Sequence, residues 1–331
     1  MMRQVSPVIV AAFAALAIVS VGISSPARAG DKDVLYVHGT HPPAIDGETL
    51  GLNDASSLGY SSFRDAIVDE GFTLTEFEAG PGSSATLTPT LLSNYKVVIL
   101  SSNNRNFSAA EATAVNNWVN AGGGLVAFSD AAFGRDQNGD GDNDADDAGN
   151  NTGIPNTLGA DSDNSLTQQF GMQFLRDSAN GVYTAGLSNT DYQFEDFLWT
   201  NDPGDGVIRF KGEGVSPIKV SGPAQVLLRF TDTQRGDGSS NPALNSADTN
   251  DGINLDQTIA ALAVAQIGSG RVIGTFDRNT FFNDGGPGTD LTEADNEQFA
   301  RNLVLYASGV PEPTTLAVLA FATPLLLRRR R

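Results

Sequence analysis

KVVILSSNNRNFSAAEATAVNNWVNAGGGLVAFSD, residues 96–130, decides the fold class of this 331-residue chain. It opens on a compact β-branched run, 96–101, of the kind buried on both faces in a parallel sheet. A helix follows. Ser108 stands as its N-cap, Glu111 three residues on is the capping-box partner, and Ala112, Val115, Trp118 and Val119 share one face. Gly122, Gly123 and Gly124 stop the helix, and 125–128 resumes as a strand. Strand, helix and strand in this order predict a βαβ unit with a parallel pair.

The alternation continues outward. Residues 34–37 read as a short buried strand. Residues 62–70 place Phe63, Ala66 and Ile67 on one helical face with Gly71 as the stop, and 73–77 alternate as a strand. Downstream, 258–266 and 271–276 flank Gly268-Ser269-Gly270 as a hairpin would, and 293–307 close with a helix presenting Phe299, Leu303 and Tyr306 to a core. Between about 130 and 256 the chain is rich in Gly, Asp and Asn, with short strand candidates at 207–210 and 225–230. This stretch reads as a long insertion with some β structure and much loop. The expected architecture is one α/β domain over residues 30–309, doubly wound around a mainly parallel sheet.

Three segments carry a family resemblance: FSAAEATAVNNWVNAGGGLVAFSD (107–130), GSGRVIGTFDRNTFFND (268–284) and DNEQFARNLVLYASG (295–309). Together they resemble the class I glutamine-amidotransferase-like superfamily, nearest to its trehalose-utilisation-like members. The resemblance implies a flavodoxin-like three-layer sandwich. It also implies a nucleophile at the turn after 125–128, where this chain has Ser129 followed by Asp130, and a histidine with an acid in a later loop. That loop here holds Asp277, Arg278 and Asn279 and no histidine. The only histidines, His38 and His41, follow the first strand. A serine hydroxyl needs a neighbouring base, so Ser129 with His38 is the candidate hydrolytic pair. Arg278, Asn279 and Asp284 with Phe281 and Phe282 form a polar-aromatic loop at the expected pocket edge.

The stretch DQNGDGDNDADD, 136–147, matches the spacing D-x-N-x-D-G-x5-D. Calcium takes six to eight hard oxygen ligands, and Asp136, Asn138 and Asp140 would wrap one side of the ion. Gly141 permits the sharp turn, Asp147 closes the far side, and Asp142 and Asp144 can add oxygens. Ca2+ is therefore the expected cofactor. Asp161, Asp163 and the acids of 232–256 show no ligand spacing and read as solvated loop residues.

Both ends read as targeting segments. Arg3, an apolar stretch at 8–21 and the Ala27-Arg28-Ala29 pattern describe a secretory signal peptide over residues 1–29, cut between Ala29 and Gly30. At the other end, 310–331 read VPEPTTLAVLAFATPLLLRRRR. This resembles the PEP-CTERM sorting signal of exported bacterial proteins, which exosortase-type transpeptidases process near Pro311, Glu312 and Pro313. Its apolar run, about 12–14 residues or roughly 20 Å as a helix, is short against roughly 30 Å of hydrocarbon and suits a transient anchor.

The chain has 20 basic and 39 acidic residues, net −19. Six arginines lie in the two ends, so with Glu312 retained the remainder carries 14 basic against 39 acidic residues. Such a polyanion is not a nucleic-acid binder. The absence of cysteine excludes disulfides and a thiol nucleophile. The sequence thus predicts a protein exported to the cell surface or extracellular matrix, a non-catalytic binding module stabilised by calcium. Its expected partners are the sorting enzyme, the secretion machinery, and extracellular polysaccharide or a surface protein. A serine hydrolase of sugar or peptide material, and a purely structural matrix protein, are the alternatives.

Overall fold

A computed structural model describes residues 32–39, 50–80, 83–101, 103, 105–129, 160–175, 179–186, 207, 209–230, 259–286 and 288–309. The first half runs β1 (Asp33–His38), α1 (Ser61–Asp69), β2 (Thr73–Glu78), α2 (Pro89–Leu92), β3 (Val97–Ser101), α3 (Ala109–Asn120) and β4 (Gly124–Phe128). The second runs α4 (Ala160–Thr167), β5 (Met172–Phe174), β6 (Ala179–Gly186), β7 (Arg209–Val215), β8 (Ile218–Val220), β9 (Ala224–Arg229), β10 (Ile259–Ile267), β11 (Gly270–Thr275) and α5 (Asn296–Ser308).

Nine strands form one sheet in the order β2-β1-β3-β4-β11-β10-β8-β5, with β9 also paired to β10. Every residue of β3 and β4 is buried, as their unbroken apolar sequences require of strands covered on both faces. Alternate residues feed two cores. Tyr36, Ile99, Val126, Phe128 and Ile273 pack with Phe63 of α1 and Phe299 and Leu303 of α5. Leu35, Val98, Leu125 and Val272 pack with Leu92 of α2, Val115 and Trp118 of α3 and Leu166 of α4. Each such large side chain contributes on the order of 1.5–3 kcal/mol through burial.

The sheet is mixed rather than mainly parallel. Strands β2, β1, β3, β4 and β11 run parallel to their neighbours. The chain then reverses at Gly268, whose φ of +58° suits a residue without Cβ, so β10 lies antiparallel to β11. A two-residue connection is far too short for a parallel crossover. The stretch expected as an insertion is also integral: β5, β8 and β9, all between 130 and 256, belong to the main sheet. Among the described residues only β6 and β7 stand apart, as a two-stranded ribbon.

Helix α3 forms as the sequence predicts. The Ser108 hydroxyl accepts from the Glu111 amide, and Glu111 accepts in return from the Ser108 amide. Glu111 does more than cap. Its Oε1 accepts from the Leu87 amide at 3.0 Å and from Arg105 at 2.7 Å, and a second Arg105 nitrogen reaches Oε2 at 3.2 Å. Arg105 also lies over the Phe107 ring, 4.3 Å from its centroid. Burial alone would raise the Glu111 carboxyl, but the Arg105, Ser108 and Leu87 hydrogen bonds together hold it down at about 2. At the far end of α3, a Cβ on Gly123 would sit 2.3 Å from the Trp118 ring, so the turn into β4 is closed to larger residues.

Replacing Glu111 by Ala removes the cap and strands Arg105, and is expected to cost about 3 kcal/mol in urea denaturation. The ion pair's contribution is present above the ordinary carboxylate value of 4.5 and is lost as pH falls through about 2. The gap between wild type and Glu111→Ala should therefore narrow in acid.

Candidate functional site

Parallel strands end along one edge of a sheet, and here the polar side chains collect along that C-terminal edge. Register sets His38, Ser101, Phe128 and Thr275 side by side across β1, β3, β4 and β11. Neighbours in register share a face, and the next residue along a strand points to the other face. His38 therefore lies on the α1/α5 side. Ser129, one residue beyond Phe128, turns to the α3/α4 side, where its hydroxyl bonds the carboxyl of Asp163 on α4.

On the first side His38 is 4% exposed. Its Nδ1 lies 2.7 Å from the Gly39 carbonyl, an acceptor, so that nitrogen carries a proton. Its Nε2 is 3.1 Å from Glu76 Oε1, but the alignment is too poor for a hydrogen bond. The same Glu76 oxygen accepts from the Leu52 amide at 2.8 Å. Beside them, the Tyr36 hydroxyl donates to the Leu50 carbonyl at 2.9 Å and shares a 3.0 Å hydrogen bond with Ser101. Burial pushes the Tyr36 phenol far above its ordinary range. Leu50 holds φ at +53°, an uncommon left-handed conformation for a bulky side chain.

On the second side Asp163 is fully buried. Its Oδ1 accepts from the Asn103 side-chain amide at 3.0 Å and from the Asn103 backbone at 3.3 Å. Burial raises its carboxyl to about 7, against the downward pull of Asn103, Ser129 and the charge of Arg278. Arg278, only 1% exposed, also acts electrostatically on Tyr36, so its guanidinium links the two sides of the strand ends. Two buried oxygens of this centre, Asp163 Oδ2 and Asn103 Oδ1, have no hydrogen-bond partner among the described residues.

The sequence places Asp163 among solvated loop acids, and the structure corrects this. Asp163, Leu166 and Phe170 recur at helical spacing and are all buried. That stripe was the available signal, weak because ADSDNSLT is a poor helical sequence. The expected pair is separated: Ser129 and His38 leave opposite faces of the sheet. His41 lies outside the described residues.

The loop after β11 has a different task from the one its position implies. Asp277 accepts from the Glu213 amide at 2.7 Å and from the Asn279 amide at 2.9 Å. Asn279 donates to the Glu213 carbonyl at 3.1 Å, and Thr280 donates to the Lys211 carbonyl at 2.7 Å. Asp295 and Asn296 accept from the Arg209 and Lys211 amides at 3.0 and 2.8 Å. The alternate backbone groups of β7 that face away from β6 are thus held by side chains and, at the Arg209 carbonyl, by the Asp295 amide at 3.1 Å, as a further strand would hold them. Phe281 and Phe282 are fully buried core residues, while Asp284 is exposed.

The acidic loop residues Asp136, Asn138, Asp140, Asp142, Asp144 and Asp147 lie outside the described residues, as do Ala29, Gly30, Pro311, Glu312 and Pro313. Among the described residues no group of three or more His, Asp or Glu side chains could hold a metal ion.

No family model matches the chain, and no curated protein matches it. Solved structures do. The N-terminal domain of mmIFT52 superposes with a TM-score of 0.50 at 12% identity, over 83% of this chain and 97% of that one. A cytoplasmic protein from Salmonella typhimurium has a TM-score of 0.47 at 12% identity, over 83% and 98% of the two chains. A second, from Salmonella typhimurium LT2, has a TM-score of 0.46 at 11% identity, over 83% and 99%. At these identities the likeness is one of fold alone.

The exported, membrane-anchored exosortase substrate is corrected by these findings. No helix among the described residues is long and apolar enough to cross a membrane, and two of the similar folds are named as cytoplasmic proteins. The PEP-CTERM identification, the cell-surface or matrix location, and the sorting-enzyme, secretion and extracellular-polysaccharide partners are not carried forward. The likeness assigns this chain no compartment in turn.

Asp163 has its ordinary value of 3.8 in the unfolded chain and about 7 in the folded one. Its contribution to stability is therefore complete below about 3.8 and is lost as pH rises through about 7. Urea denaturation of wild type should show stability falling across that window relative to Asp163→Asn, whose carboxamide does not titrate there. Parallel profiles for the two proteins would show that the carboxyl is not held protonated.

Proposed function

We propose that the chain is a flavodoxin-like α/β domain that binds a small molecule at the C-terminal edge of its parallel strands and performs no serine hydrolysis there. The five parallel strands, ordered β2-β1-β3-β4-β11, support the flavodoxin-like assignment. In such sheets ligands gather outside the strand ends where the strand order reverses, between β1 and β3 in this chain. The observation that carries the binding role is the pair of buried oxygens, Asp163 Oδ2 and Asn103 Oδ1, left without a partner at that edge. A buried polar atom without a partner costs about 1–3 kcal/mol, a cost that a bound donor relieves.

Two commitments count against hydrolysis. Ser129 bonds Asp163 on the face opposite His38, and Asp277 has both oxygens engaged by backbone amides. The geometry that orients a histidine toward a nucleophile is therefore absent from these residues. The test is a thermal-shift screen of the full chain against a library of small polar fragments, repeated on Asp163→Ala. Compounds that raise the melting temperature of wild type only are expected. Compounds that stabilise both proteins equally would place binding elsewhere and refute the assignment.

The spacing of Asp136, Asn138, Asp140 and Asp147 supports a second, independent proposal, a calcium site in the acidic loop. Calorimetric titration with Ca2+ should show saturable heat in wild type and a loss of at least tenfold in affinity in Asp140→Ala. Equal heats from the two proteins would remove the ion.

A further inference from the structure

Helix α4 is almost entirely polar, and its hydrogen bonding is nearly complete. The Ser162 hydroxyl donates to the Arg105 carbonyl and accepts from the Arg105 amide. Asn164 bonds Phe174 twice, donating to its carbonyl and accepting from its amide, each at 2.7 Å. Ser165 donates to the Ser162 carbonyl and accepts from the Phe107 amide, and Thr167 donates to the Asp163 carbonyl. Against this background one carboxylate oxygen, Asp163 Oδ2, is open, and so is the carbonyl oxygen of the side chain bonded to its other oxygen, Asn103 Oδ1. Both residues are 0% exposed.

Asn103 Oδ1 is an acceptor, and so is Asp163 Oδ2 above pH about 7, where its carboxyl is ionised. An anion would bring more lone pairs against them. A cation would meet the field of Arg278, which already reaches Asp163. A neutral group with two adjacent donors satisfies both oxygens without either penalty. Building on the binding role proposed above, we infer that Asp163 and Asn103 together recognise a neutral small molecule through two adjacent N–H or O–H donors, the pattern of a primary amide or a vicinal diol. The Ser129 hydroxyl, already on the same carboxyl, orients Asp163 for this contact.

The experiment is a titration at pH 8, where the Asp163 carboxyl is ionised, of the 15N-labelled full chain followed by NMR at the backbone amides of Asn103 and Ser129. The probes are acetamide, propane-1,2-diol, methylammonium, acetate and Mg2+. Saturable shifts with acetamide identify an N–H source and with propane-1,2-diol an O–H source. Either supports the inference when the affinity falls at least tenfold in Asp163→Asn, which turns an acceptor into a donor. If that variant does not fold, Asn103→Ser read at Ser129 replaces it, and the ranking of probes on wild type decides the class alone. Shifts from methylammonium, acetate or Mg2+ with both neutral probes silent would overturn the donor-pair inference and leave the binding site standing. Silence from every probe would overturn both, the gap then being one that a structural water fills.

Discussion

Helices cover both faces of the central strands, and this double burial shapes everything else in the molecule. A side chain on β3 or β4 has a hydrophobic core on either side, and a polar group there would lose its water without gaining a partner. Polar residues are displaced to where the strands stop. Tyr36, His38, Ser101, Asn103, Ser129, Asp163 and Arg278 meet at that edge because the sheet excludes them from its middle. The same exclusion raises the carboxyl of Asp163 and the phenol of Tyr36. The perturbed groups and the fold thus have one cause, and the candidate site is the region where that cause is strongest.

The loop after β11 shows how such an edge can be spent on structure. The β6–β7 ribbon would leave one row of backbone donors and acceptors unpaired, a hazard that exposed strand edges carry. Asp277, Asn279, Thr280, Asp295 and Asn296 occupy that row instead. Short Asx and Thr side chains suit the work because they reach a neighbouring backbone with few torsions to fix. The polar composition that resembles a catalytic loop is here the composition of a substitute strand.

Much of the fold was legible from pattern. The Ser108–Glu111 capping box, the glycine stop at 122–124 and the flanking apolar strands placed β3, α3 and β4 within a residue or two. The Gly268 turn marked the β10–β11 hairpin. What stayed hidden was non-local. Strands β5 and β8 have three residues each, too few for a period to show, and they join the sheet only because β10 offers β8 an edge and β8 offers one to β5. Helix α4 lacks an apolar stripe beyond Leu166 and is held by side-chain bonds to the segments around Arg105 and Phe174. The site suffered most. Ser129 was found by position, but the face it takes depends on register, which no local pattern states, and that register gave it Asp163 in place of His38.

The two poles of the sheet are built to opposite rules. At the pole where the parallel strands begin, a Cβ on Gly124 would meet the Ala307 carbonyl at 2.1 Å, and one on Gly270 would meet the Val119 carbonyl at the same distance. Backbones are in contact there, and no room exists for growth. At the other pole the described chain breaks off at Gly39, Ser129 and Phe230 and resumes at Leu50, Ala160 and Ile259, the last pair bonded backbone to backbone at 3.1 Å. The domain is sealed at the pole where its parallel strands begin and open at the pole where they end.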